Sequence, residues 1–439
     1  MTDDAEVDGN VVKMAGRKRR APQRQAAPAD EEWRDLMLYD QYGKAKASFG
    51  NLCLIFRNHA RFKGRLGYNE MSLAPQLDGK PVEEAHFEDF REWFEREERI
   101  IPPVEALQSA MLRVARETSW HPIKLYLEGL RWDGEFRLIR LATDVLGSKE
   151  HPLTASMMRK TMIAAVARIF EPGCKLDTVS ILAGEQDRKK STFWTGLFSK
   201  AWFNDSTIDV HDKDGKLIAR KFWCSEWAEI DAIFASKDRS VLKGFVTSPT
   251  DNFRAPYAKN VESYPRSSIF VGTTNEPTFL VDPTGSRRYW VIPVEKEIDV
   301  ALLEEWRDQL WAEAVMAYRD GRAQKVGFLW WLSPEEESMR RDMSEQYQVE
   351  ETWEDDIAKF AKKRTLARES FSTNDVQKLA MDMDASKQTV MTAKRVSSIL
   401  RKLGYDQVFK RVDGALMRLW LKADQRDLPS KRYEPGDYD

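Results

Sequence analysis

The 439-residue chain sets 69 Lys and Arg against 71 Asp and Glu, a net charge of −2, so any nucleic-acid partner must meet a local basic patch and not a global field. That length exceeds one ordinary core and predicts roughly two to four domains, which 42% hydrophobic and 11% aromatic residues suffice to fill. Three scattered cysteines (Cys53, Cys174, Cys224), no membrane-length apolar run and no signal-peptide core argue against a disulfide framework, a cysteine metal site or a membrane helix, and the expectation is a soluble cytoplasmic protein.

Residues 1–31 mix acidic residues, Gly, Ala and Pro around Gly16-Arg17-Lys18-Arg19-Arg20, which predicts a disordered tail, either solvated or touching phosphates non-specifically. Residues 32–147 read as a mainly helical accessory domain. Helical spacing covers Asn51–His59, Phe87–Glu98 and Val104–Glu117, a short strand follows Gly64, and Pro102-Pro103 breaks the chain. His121 beside Pro122 is a structural residue, since no metal partner is spaced near it. No acidic metal triad for nucleotide addition is identifiable here, which argues against primer synthesis.

Residues 148–332 carry the strongest chemical signal. A helix over Ala155–Ile169 ends at Glu171-Pro172-Gly173, and a β-branched and aliphatic run, Thr178–Ala183, predicts a buried parallel strand. Gly184 through Lys190-Ser191-Thr192 then opens a helix, the order of a P-loop. The free N–H groups and positive end of such a helix attract an anion; Lys190 would reach the β/γ-phosphates and Ser191 would hold Mg²⁺. Lys189 stands where the motif expects glycine, so on its own the stretch reads equally as a basic helix start without chemistry.

Downstream, Asp209–Gly215 reads as a polar loop and Lys221–Cys224 as a second buried strand running into Glu226 and Glu229. One carboxylate of such a pair coordinates Mg²⁺ and the other polarises water, against the alternative of surface acids. Lys237–Phe245 predicts a helix. Ser248–Asn260 predicts an exposed hairpin whose Arg254, Tyr257 and Lys259 suit single-stranded nucleic acid or a subunit interface. A third strand ends at Asn275, placed to orient water or to cap a turn. Arg287 and Arg288 precede a further strand, suited to a phosphoryl transition state or to surface ion pairs.

Residues 333–424 predict charged helices at Glu335–Tyr347 and Trp353–Lys363, a capped helix after Ser372, a basic helix over Ala393–Leu403 with Lys394, Arg395, Arg401 and Lys402, and a hairpin turning at Asp413-Gly414. The order resembles a winged helix, with the basic helix in a DNA groove; the alternative is a small capping domain with solvated cations. Residues 425–439 read as a tail.

From about His121 to Trp331 the chain resembles the virulence-associated protein E family of phage and mobile-element replication proteins. The resemblance rests on ordered blocks: His121-Pro122 through Asp133-Gly134, Pro172-Gly173 with Lys175, Gly184 through Phe193, Trp202-Phe203, Glu226 with Glu229, Asp251 with Arg254 and Pro256-Tyr257, Gly272–Asn275, Gly285 with Arg287-Arg288, and Trp311–Val315. It implies an α/β, AAA+-like P-loop ATPase core similar to superfamily 3 helicases, acting as a ring, usually a hexamer, that moves DNA through a central channel. Carried over, Gly184, Lys190, Ser191 and Thr192 would bind ATP and Mg²⁺, with Glu226 and Glu229 as the acidic half. Asn275 would sense the γ-phosphate, Arg287 or Arg288 would serve a neighbouring subunit, and Arg254, Tyr257 and Lys259 would grip DNA. Lys189 departs from the family's commoner glycine and leaves a competing reading: a nucleotide-binding regulatory module with little or no turnover.

Overall fold

A computed structural model describes residues 29–206, 208, 213–235, 239–256, 258, 260–280, 286–348, 353–412, 415–422 and 431–432. The tails expected at 1–31 and 425–439 lie outside them, apart from Ala29–Glu31 and Lys431–Arg432. The described residues gather into two compact units, one through 29–277 and 286–345, the other through 278–280 and 346–432. No helix among them is long and apolar enough to cross a membrane.

The first unit begins with α1 (Phe49–Asn58), β1 (Leu66–Asn69), β2 (Ala74–Leu77), β3 (Lys80–Pro81), α2 (Glu84–Trp93), α3 (Val104–Ala115) and β4 (Ser119–Trp120). The three helices fall where hydrophobic spacing predicts them, around a core of Phe56, Phe62, Phe90 and Phe94. The sequence predicts one short strand here, whereas the structure has a four-stranded sheet, ordered β3-β2-β1-β4. Pro75 and Pro81 hide these short strands, and Asp78-Gly79, with φ of 52° and 75°, forms the tight turn joining β2 to β3.

His121 caps α4 (Pro122–Gly129), its imidazole accepting from Lys124 N, with Pro122 at the first helical position. The ring is buried, and burial, then Arg220 and Lys124, depress its pKa from 6.5 to about 4. The unfolded chain therefore takes up a proton that the folded chain refuses. The stability this group supplies is complete above pH 6.5 and is lost as pH falls towards 4, by at most about 3 kcal/mol. His121→Asn keeps a capping acceptor and removes the titration, so the slope of the thermal midpoint against pH in that window is expected to flatten.

The rest of the unit consists of α5 (Pro152–Phe170), β5 (Val179–Ala183), α6 (Lys190–Phe198), β6 (Phe203–Asn204), α7 (Lys213–Lys221), β7 (Cys224–Trp227), α8 (Ile230–Ala235), α9 (Arg239–Thr247), β8 (Thr250–Phe253), β9 (Glu262–Pro265), β10 (Ile269–Thr274), β11 (Tyr289–Pro293), α10 (Val300–Ala323) and α11 (Pro334–Glu345). Five parallel strands form one sheet in the order β11-β5-β10-β7-β6. Every residue of β5 and β10 is buried, as a parallel sheet covered on both faces requires. Helices α5, α6 and α10 supply much of that cover; Trp311 of α10 donates to Leu197 O at 2.9 Å and lies 4.2 Å from the Trp223 ring.

One predicted element moves. Lys221 ends a helix, α7, where the sequence suggests a loop followed by a strand, and the strand itself is Cys224–Trp227. The aromatic pair Phe222-Trp223 imitates a strand, but Trp223 turns inward to donate to Ala165 O at 3.0 Å. Glu226 thus sits inside the buried strand and not beyond it.

The second unit holds α12 (Glu354–Leu366), β12 (Glu369–Ser370), α13 (Thr373–Leu379), α14 (Val390–Lys402), β13 (Tyr405–Val412), β14 (Ala415–Lys422) and β15 (Lys431–Arg432). Ser372 caps α13 through a reciprocal pair with Asp375. The antiparallel β13–β14 hairpin packs its base, Tyr405 and Trp420, onto Ile357, Phe371 and Val396. The predicted turn at Asp413-Gly414 lies outside the described residues.

Candidate functional site

Strands β5, β7 and β10 run in parallel, so their C-terminal ends open on the same edge of the sheet, where open α/β folds bind ligands. A pocket of about 290 Å³ lies there, lined by the residues from Asp187 to Thr192, by Ala228 and Glu229, and by Thr273, Thr274 and Asn275. Strand β5 delivers the loop, β7 the acids and β10 the Asn.

Lys190 is the centre of this arrangement. Its ammonium donates to Gly184 O at 2.7 Å, Glu185 O at 2.6 Å and Asn275 Oδ1 at 2.7 Å, which accounts for all three of its protons. Burial, reinforced by Arg188, lowers its pKa from the usual lysine value. All three of these acceptors are neutral, so none of them supplies a countercharge. Ser191 Oγ donates to Glu226 Oε1 at 2.7 Å, and Thr273 Oγ1 donates to the same oxygen at 2.6 Å. Glu226 is buried, whereas Glu229 is exposed at the pocket rim with φ of 49°. Thr192 opens onto the pocket, and the first-turn amides of α6 have no intrahelical acceptors.

Two loop positions have their own physical reasons. A Cβ on Gly184 would stand 2.3 Å from Val294 O, so glycine is needed for the close approach of the chain leaving β11. Lys189 adopts φ 62° and ψ 28°, the left-handed conformation that a glycine takes without strain, at a penalty of about 1–2 kcal/mol. Its ammonium pairs with Glu297 at 2.7 Å, between two half-exposed groups. The lysine therefore reaches the glycine's backbone shape while its ammonium is turned to Glu297. Lys189→Gly is expected to change stability by no more than about 1 kcal/mol and, if the pocket turns nucleotide over, the rate by no more than roughly fivefold. A gain of several tens of fold would identify Lys189 as a brake.

The family model described as "Virulence-associated protein E-like domain" matches residues 127–349, just over half of the chain. The chain belongs to the virulence-associated protein E-like family. The matched span of this VapE-like domain contains every pocket residue. Two solved structures are distantly similar. "The A form apo structure of NrS-1 C terminal region-CTR" is 12% identical, with 67% of this chain and 77% of that one covered at a TM-score of 0.34. "The A form apo structure of NrS-1 C terminal region-CTR(305-718)" is 11% identical, with 81% and 95% covered at a TM-score of 0.38. No curated protein matches the chain.

The VapE-like domain does not bring all the predicted residues together. Arg287 and Arg288 precede β11, whose first residue pairs with the first of β5, so they lie at the opposite edge of the sheet from Lys190. Five strand residues separate the two edges, about 16 Å. There they line a different cleft, of about 440 Å³, with Trp290, Trp330 and Trp331. Arg254 is exposed just after β8 and lines neither cavity; Tyr257 and Lys259 lie outside the described residues.

Sequence reasoning passed over Thr273 and Asp231. The first shares Glu226 with Ser191, and the second accepts from Thr274 at 2.7 Å, fastening α8 to the end of β10. In sequence Thr273 and Thr274 stand only within the Gly272–Asn275 block, because a threonine in a β-rich run reads first as strand. Asp251 pairs with Arg266 and not with Arg254, at 2.8 and 2.5 Å, and both are buried.

Proposed function

We propose that the chain is a Mg²⁺-dependent ATPase of phage or mobile-element DNA replication, a ring helicase that moves along single-stranded DNA. The observation that carries this reading is the convergence of Lys190, Ser191, Glu229 and Asn275 on one polar pocket at the strand ends, with the buried Glu226 bonded to Ser191 beneath it. Lys190 would neutralise the β/γ-phosphates, and the first-turn amides of α6 would cradle them. The Ser191 hydroxyl beside the buried Glu226 carboxylate is a hard-oxygen pair suited to Mg²⁺. When bound, that ion would supply charge neutralisation across the β- and γ-phosphates. Glu229 would accept a proton from water and Asn275 would orient it.

The position of Arg287 and Arg288 supports an oligomer. Neither can serve the pocket of its own chain from the far edge of the sheet, whereas a neighbour in a ring can present an arginine across the interface. The order of elements in the second unit supports a winged-helix-like domain, and Arg254 remains a candidate for gripping DNA in a central channel. The fitting test is steady-state ATP hydrolysis with Mg²⁺, with and without single-stranded DNA, alongside the mass of the assembly. Turnover stimulated by DNA in a hexamer is the expected result; absence of turnover in every assembly would discard the motor.

One observation favours the second reading, a nucleotide-binding regulatory module. All three Lys190 protons are already engaged, and the loop is braced by Lys189 on Glu297, a state compatible with holding nucleotide and not cleaving it. Tight ATP binding without turnover would select it.

A further inference from the structure

The second unit offers two basic surfaces, helix α14 and the β13–β14 hairpin. On α14 the cations are largely engaged within the unit. The Arg395 guanidinium lies 3.8 Å from the Trp353 ring centroid, Arg401 lies 5.6 Å from that of Trp420, and Lys402 pairs with Glu354 at 2.7 Å. Trp420 is buried in the core of the unit and Trp353 packs against that core, so these cations are held against the body of the fold. Of the four cations that mark this helix as a DNA reader in sequence, Lys394 is the exception.

The hairpin is arranged differently. Its register pairs Phe409 with Arg418 and Arg411 with Leu416, so these four side chains share one face of the ribbon. Phe409 is 60% exposed and Leu416 66%, and both arginines are exposed. The Arg418 guanidinium lies 5.2 Å from the Phe409 ring centroid, which keeps it on that open face. Among the described residues no carboxylate shares the face; Asp406 points to the other side by strand alternation. At its base the same face is anchored by buried Tyr405 and Trp420, so the distal half projects from a fixed foot.

We propose that the second unit binds duplex DNA through this distal half of the hairpin, and not through α14. A two-stranded ribbon fits a major groove about 12 Å wide. Arg411 and Arg418 reach phosphates on either side, while Phe409 and Leu416 bury their apolar surface against sugars and base edges. Two arginines without a facing acid complement a polyanion, and the apolar residue opposite each of them favours a groove over a protein surface of mixed charge. This site is separate from the ATP pocket, and its test needs no nucleotide.

The experiment uses the full chain and a labelled duplex of random sequence, with fluorescence anisotropy read across a salt series. Arg411→Ala with Arg418→Ala is expected to weaken binding about tenfold at physiological salt and to lower the slope of log K against log salt by about 2. Phe409→Ala with Leu416→Ala is expected to weaken binding at an unchanged slope, and Lys394→Ala to change neither. All five side chains are exposed, and circular dichroism checks that each variant folds. The proposal is overturned if the arginine pair can be removed without effect, if Lys394→Ala reproduces the loss, or if a single strand of the same sequence binds as tightly and loses as much. A chain that proves unable to turn over ATP leaves this measurement intact.

Discussion

In the proposed ATPase, Lys190→Ala is expected to reduce Mg²⁺-dependent ATP hydrolysis by at least about 10²–10³-fold, the usual consequence of removing a preorganised charge donor from a desolvated site. The lysine is the point at which the loop, β10 and the pocket meet, through Gly184 O, Glu185 O and Asn275 Oδ1. Its removal also deletes a buried cation that burial already disfavours, so the thermal midpoint is expected to hold or rise while activity is lost. That split distinguishes a chemical role from a structural one. Ser191→Ala should follow the same pattern, with the loss partly offset at high Mg²⁺, because Glu226 and Thr273 remain in place beneath it. Wild-type-like turnover in Lys190→Ala would remove the pocket from the reaction altogether.

The parts of the site legible in sequence are those whose chemistry and local structure coincide. Lys190 and Ser191 open a helix one short loop after a wholly buried strand, and Asn275 follows the last residue of another; each is marked by a change of hydrophobic pattern near the residue that matters. Glu226 is legible from its order in the chain, but the strand around it begins later than the pattern suggests, since an aromatic pair imitates strand patterning and only packing against Trp311 reveals its direction. The long helix α10 gives no helical reading in sequence, where Trp311–Val315 stands only as a block of the resemblance, because the helix packs against both α5 and α6 and its apolar stripe is broad. For the basic helix near the C-terminus, sequence counts the cations and does not see the tryptophans against which two of them lie. Arg266 had no signal at all. A single arginine between two strand-like runs reads as surface, and its partner lies fifteen residues away across a hairpin.

That pair is the basis of the second large expected effect. Asp251→Ala leaves the Arg266 guanidinium buried without its countercharge, close to Arg168, which is itself buried and lowered by that burial to about pKa 10. Truncating one partner of such a pair removes about 3–5 kcal/mol, measurable as a shift in the urea midpoint, whereas Arg254→Ala, at an exposed position on the same hairpin, is expected to leave it unchanged. Replacing both partners by apolar residues of similar volume, Asp251→Leu with Arg266→Met, should recover much of the loss, since the uncompensated charge and not the missing attraction carries the penalty. The pair also fixes where the hairpin sits. Arg168 of α5 donates to Arg266 O at 3.2 Å, and Thr161 of the same helix shares a 2.5 Å hydrogen bond with Ser180 of β5, the strand that leads into Lys190. On the other side, Phe253 and Ala255 pack on Tyr68, Leu73 and Ala115, tying the hairpin to the N-terminal sheet and helices. If the chain is the proposed motor, the conservative Asp251→Asn variant should keep basal ATP turnover and lose its stimulation by single-stranded DNA. Stimulation retained in a measurably destabilised variant would show that this anchor serves stability alone.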